Sequence, residues 1–173
     1  MKGVPLGSSF DSLKAKFGNQ VRCFNPSADL KMNPYYDGGY IDQECTLSEP
    51  SSGRSIEDTF AGHQVGMTYE FHQQSLEHIL VYRLSPDVYN SVLETMESKY
   101  GKPLMTSSML QNAMGASFEN KIAIWKPSGG IIVYQRYVDG FNRPSMLDFY
   151  TVPAWDAKQR FAKDRSEAAK KDM

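Results

Sequence analysis

Several ingredients of familiar chemistry are missing from this chain. It has only two cysteines, Cys23 and Cys45, and no C-x-x-C pair. Its three histidines, His63, His72 and His78, follow no metal-ligand spacing, so a metal centre is not expected. No G-x-S-x-G elbow occurs, and no serine or cysteine stands in a recognisable arrangement with histidine and a carboxylate. The sequence shows no close carboxylate pair that would suggest shared proton chemistry. "DGG" at 37–39 and "SGG" at 128–130 precede no helix, which removes a phosphate cradle. No cofactor is expected.

Charge and hydropathy exclude further classes. Nineteen basic residues face 20 acidic ones, a formal net charge of -1, so no bulk field points to nucleic acid or an anionic membrane. No apolar run approaches the roughly 20 residues of a membrane-spanning helix. "MKGVPLGSSF" lacks the apolar core of a secretory signal. The expected location is therefore periplasmic or secreted if a signal has been removed ahead of Met1, and cytoplasmic otherwise.

What is present reads as an ordinary globular chain of 173 residues, 40% hydrophobic and 23% charged. "SSFDSLKAKFG" predicts a short helix with Phe10, Leu13 and Phe17 on one face and Gly18 at its end. "QVRCFN" and "YIDQECTL" read as strands. So do "TFAGHQVGMTYEF" and "LEHILVYRL", joined by a turn at Gln73, Gln74 and Ser75. Alternation in the last places Leu76, His78, Leu80 and Tyr82 on one face, with Ile79 and Val81 on the other. His72 and His78 read as strand-surface residues.

A second helix is marked more strongly. Ser85 is its cap, Pro86 its first residue, Val88, Val92, Met96 and Tyr100 its apolar stripe, and Gly101 its stop. "LMTSSMLQNAMGASFEN" reads as irregular. Its Met105, Met109 and Met114 suit either an adaptable contact surface or core gap-filling. "KIAIWKP", "GIIVYQRYV" and "SMLDFYTV" are strands, with Trp125 assigned to the core. A charged helix closes the chain, anchored by Trp155 and Phe161.

A shift of 83 residues superposes Gly18 on Gly101, Phe17 on Tyr100, Lys16 on Lys99, Leu13 on Met96 and Phe10 on Leu93. The fold expected is α+β, built from two helix-plus-antiparallel-meander units sharing a core. The first spans 1–84, the second 85–152, and the charged helix 153–173. Cys23 and Cys45 lie in strand-like runs that could pair. They are either inert core residues or a disulfide, the latter implying an oxidising compartment.

Two segments have the composition of contact surfaces. "NPYYDGGY" crowds Tyr35, Tyr36 and Tyr40 on a loop. "YQRYVDGFNRPS" mixes Arg136, Tyr137, Phe141 and Arg143 around a turn. Each set could equally plug the end of the core or pin a hairpin tip.

"GVPLGSSFDSLKAKFG" resembles the G-I-x-L-G-x-S-x-x-E-V-x-x-x-F-G opening of small bacterial envelope proteins. "LETMESKYGKP", "AIWKP" and "GIIVYQRY" look like their second half. The group includes the outer-membrane assembly lipoprotein of the SmpA type and the beta-lactamase inhibitor protein. The resemblance implies tandem helix-and-sheet units and function by binding another protein. The lipoprotein cysteine is absent near the start, which argues against outer-membrane anchoring. The functional expectation is a non-enzymatic protein-binding module of bacterial or phage origin, an inhibitor or an assembly factor. The alternatives are a hydrolase-type enzyme with an unrecognised site, or a cytoplasmic phage protein that blocks a host defence.

Overall fold

A computed structural model describes residues 4–25, 40–111, 114–138 and 144–171. The chain is α+β. Helix α1 (Phe10–Phe17) leads into β1 (Val21–Phe24), β2 (Gln43–Leu47), β3 (Asp58–Phe60), β4 (His63–His72) and β5 (Ser75–Leu84). Helix α2 (Tyr89–Tyr100) leads into β6 (Leu104–Gln111), β7 (Ser117–Trp125), β8 (Gly130–Gln135) and β9 (Ser145–Thr151), and α3 (Val152–Lys171) closes the chain. The nine strands form one antiparallel sheet in the order β1-β2-β4-β5-β9-β8-β7-β6, with β3 paired to β4. The strands after α1 and those after α2 thus form the two sides of the sheet, and they join where β5 pairs with β9.

Helices α1 and α2 are stopped by the device their sequences announce. Gly18 (φ 55°) and Gly101 (φ 79°) occupy the left-handed region that a side chain disfavours. Their amides donate to Lys14 O and Glu97 O, satisfying carbonyls at the helix ends. Lys16 lies over the Phe17 ring at 5.5 Å and Lys99 over Tyr100 at 5.0 Å. The repeated lysine–aromatic–glycine string is therefore one stop signal used twice.

The two sheet faces carry different chemistry. One face buries Tyr69, Phe71, Val81, Tyr134, Leu147 and Trp125 against Leu13 of α1 and Tyr89, Val92 and Met96 of α2. Trp125 is in the core as expected, and its Nε1–H donates to Gly101 O at 2.7 Å, tying β7 to the end of α2. The other face is covered in part by α3, which packs Ala154 and Trp155 on Ile131 and Tyr150. Cys23 and Cys45 stand opposite each other in the β1–β2 register and form a disulfide. Closing that loop stabilises the fold by about 3 kcal/mol in the chain-entropy model.

Three sequence expectations are corrected. "TFAGHQVGMTYEF" is not one strand but the β3–β4 hairpin, turned at Ala61 and Gly62, both with positive φ. The "irregular" 104–120 segment is the β6–β7 hairpin. Leu76 does not share a face with His78. A bulge between Glu70 and Phe71 of β4 pairs Phe71 with Leu76 and Glu70 with His78, leaving Glu77 as the extra residue. That extra residue reverses the alternation. Leu76 joins Ile79 and Val81 in the core, while His78 and Leu80 turn to the α3 side.

Candidate functional site

The register draws a polar row across the α3 side of the sheet. Glu44 of β2 faces Glu70 of β4, Glu70 faces His78 of β5, and His78 faces Tyr150 of β9. Directly opposite residues share a face and stand about 5 Å apart. His78, only 6% exposed, is clasped on both sides. Its Nδ1 lies 2.8 Å from Glu70 Oε2 and its Nε2 lies 3.0 Å from Asp148 Oδ1. Its ring stacks on Tyr150, with centroids 4.1 Å apart and planes at 2°. The Tyr150 hydroxyl donates to Asp148 Oδ1 at 3.0 Å and accepts from Lys158 Nζ of α3.

Burial alone would lower the His78 pKa. The Glu70 charge, with hydrogen bonds to Asp148 and Glu70, overcomes it and raises the pKa to about 9. His78 is therefore an imidazolium at neutral pH, donating from both nitrogens. Burial would likewise raise Asp148. Its bond to His78 and the Lys158 charge hold it below the ordinary aspartate value instead. Glu44 goes the other way, raised to about 7 by burial and by the Glu70 carboxylate, against the lowering effect of His78. These groups line a pocket of about 160 Å³ closed by Ala154 and Lys158 of α3.

Chemically, the pocket is a charge clamp. A histidine with both N–H groups committed to carboxylates has no lone pair to act as a base. Among the residues lining the pocket the only hydroxyl is that of Tyr150, which is itself hydrogen-bonded on both sides. The clamp fixes α3 to the sheet. Glu77, placed by the bulge, extends it: Glu77 accepts from Thr151 and, at 3.3 Å, from Tyr40, while Thr151 Oγ1 accepts from Ala154 N at the start of α3. A wider cleft of about 550 Å³ opens at the carboxyl end of α2, among Leu6, Tyr100, Pro127 and Ile131. Its wall is mostly apolar, with Lys99 the charged side chain and Tyr100, Ser128 and Tyr150 the hydroxyls, the last already held by Asp148 and Lys158.

Two sequence readings of this region are corrected. His78 is a buried ion-paired residue, not a strand-surface one, and Glu44 and Glu70 form a close carboxylate pair that the sequence hides. Glu44 and Glu70 are brought together only by register, and the bulge masks the parity of His78.

The candidate contact residues fall in three places. Tyr35, Tyr36, Phe141 and Arg143 lie outside the described residues. Tyr40 is half-buried, stacked on His72 with centroids 4.2 Å apart. Arg136 and Tyr137 are half-buried beside β7. The Arg136 amide donates to Lys121 O, the Tyr137 amide donates to Asn120 Oδ1, and the guanidinium lies 5.3 Å from the Tyr137 ring centre.

On the far side of β7 lies the methionine-bearing strand β6, whose composition suits either a contact surface or core filling. Among the described residues strand β6 is an edge of the sheet, and its large apolar residues are left uncovered on both faces, Leu104 on the face of Ile124 and Met105 and Met109 on the face of Ala123. Leu104 is 63% exposed, Met105 43%, Met109 67%, and Phe118 on the paired strand 38%. The methionines do not fill core gaps. The signal available was their density in a stretch without charge from 103 to 118.

Comparison with protein-family models, with curated proteins and with solved structures returns no match at significance. Among the described residues no helix is long and apolar enough to cross a membrane.

Proposed function

We propose that this protein is a non-enzymatic protein-binding module, an inhibitor or assembly factor, whose contact surface is the β6–β7 hairpin with Arg136 and Tyr137 beside the middle of β7. The observation that carries the reading is the exposure of large apolar side chains on both faces of an uncharged edge strand, Leu104 on one and Met105 and Met109 on the other. Sheet proteins ordinarily blunt such edges with lysine, proline or a bulge, because free backbone groups and apolar side chains recruit other chains. Methionine adds a flexible, polarisable surface that adapts to a partner, and Arg with Tyr supplies the residue types enriched at binding hot spots.

The charge clamp supports the same reading from the other side. Its histidine is saturated and its pocket is small, so it serves α3 docking better than turnover. The disulfide between β1 and β2 suits an oxidising compartment such as the periplasm or the exterior. The opening and closing motifs that resemble the envelope-protein group agree with a binding role.

Replacing Leu104 and Met109 together by serine should abolish partner capture, because both side chains are mostly exposed and contribute little to the core. The melting temperature should stay within a few degrees. Undiminished capture by a folded double variant would remove this surface from the proposal.

A further inference from the structure

The edge strand has an internal symmetry that goes beyond a generic sticky surface. Residues 104–110 read Leu-Met-Thr-Ser-Ser-Met-Leu. Run antiparallel to itself about Ser107, the segment sets Leu104 against Leu110, Met105 against Met109, Thr106 against Ser108, and Ser107 against Ser107. Each pair joins like with like. Strand alternation keeps the halves of every pair on one face. Leucines meet on the α3 side, where Leu104 and Leu110 pair with Ile124 and Phe118 of β7, and methionines meet on the side of Ala123.

We propose that β6 is a homodimerisation strand, and that its partner is β6 of a second copy of this chain, paired antiparallel about a two-fold axis through Ser107. The proposal rests on the protein-binding reading above and specifies the partner. The sheet order ends at β6, whose pairing in the structure is with β7. Every second residue of such an edge directs its N–H and C=O outward, and the self-pairing joins them in roughly six to eight backbone hydrogen bonds.

An isologous contact must be self-complementary, and this segment is so without opposing any charges. Pro103, with no N–H to donate, limits the ladder at one end. The opposite edge of the sheet is built differently. Strand β1 has four residues, carries Arg22 and is tied to β2 by the disulfide, the kind of short charged edge that resists pairing. Pairing through β6 therefore closes at two copies and does not propagate into a filament.

An interface of seven residues per chain is small, so the dimer is concentration-dependent. Sedimentation of the full chain across a concentration series should show a reversible species of twice the 19.5 kDa chain mass. Ser107 is exposed, so Ser107→Lys and Ser107→Asp should both fold. Each sets like charges across the axis and should weaken self-association at least about tenfold. Mixing the two variants should restore a dimer containing one chain of each, since opposite charges then meet at the axis.

A wild-type chain that stays monomeric throughout the series overturns the proposal. So do charge variants that dimerise like wild type, or a mixture that forms no heterodimer. If the chain is monomeric but the Leu104/Met109 double-serine variant still loses capture of a different protein, the dimer fails while the binding surface stands. If neither effect is seen, both fail.

Discussion

Replacing His78 by leucine should destabilise the protein by about 3–5 kcal/mol, read from urea unfolding at neutral pH. The reason is what the substitution leaves behind. Glu70 and Asp148 approach the ring from opposite sides, with side chains 20% and 12% exposed. Without the imidazolium each keeps a partly desolvated charge with no counter-ion at that position, and breaking a buried pair in this way costs that much. The stacked contact with Tyr150 is lost as well. Adding Asp148→Asn to the leucine variant should return part of the loss, because it removes one of the orphaned charges, so the two substitutions will not add. A loss below about 1 kcal/mol would show that the clamp does not secure the fold.

The same cluster sets a pH dependence with a defined sign. His78 titrates near 6.5 when unfolded and about 9 when folded. Between those values the native state holds the extra proton, so stability falls as pH rises from 6.5 to 9. Glu44, raised from 4.5 to about 7, acts in the same direction over its own lower window. Asp148, lowered by its partners, acts oppositely: its contribution is lost as pH falls below the ordinary aspartate range. Tyr69 and Tyr89, pushed up to about 12 by burial, add a further loss only above pH 10. Stability should therefore peak on the mildly acidic side and decline by a few kcal/mol toward pH 9. In His78→Gln the decline between 6.5 and 9 should disappear. A wild-type profile flat across that window would contradict the assignment of a charged His78.

These features differ in how legible they are in sequence. Helix α2 is announced at its end by Gly101. Ser85 and Pro86 cap and open a 3-10 turn (Pro86–Val88) that leads into the helix at Tyr89, and are not its own cap and first residue as the sequence suggests. Capping is local chemistry, but it does not say which kind of turn it starts. The core strands betray themselves through alternation, since burial of one face selects apolar residues at every second position. Strand β6 defeats that signal: nearly all its residues are exposed, so nothing imposes a period of two, and Leu104 to Gln111 looks like a loop. The clamp is hidden for another reason. Glu44, Glu70, His78 and Asp148 come from four strands, and a bulge at Glu77 reverses the parity that would have placed His78. Long-range register and irregular backbone carry that information, and a single sequence shows neither.

That the hairpin edge is where this protein meets other chains is tested most directly by site-specific photo-crosslinking. A photoreactive amino acid is placed at Met109, and separately at Glu94 on the exposed side of α2 as a control. Irradiation of the purified protein, and of the protein in its native lysate, is followed by mass analysis of the adducts. The account predicts discrete protein adducts from position 109 and none from position 94, with adducts of twice the chain mass marking self-pairing through β6. Equal labelling from both positions, or no adduct from position 109, would contradict it.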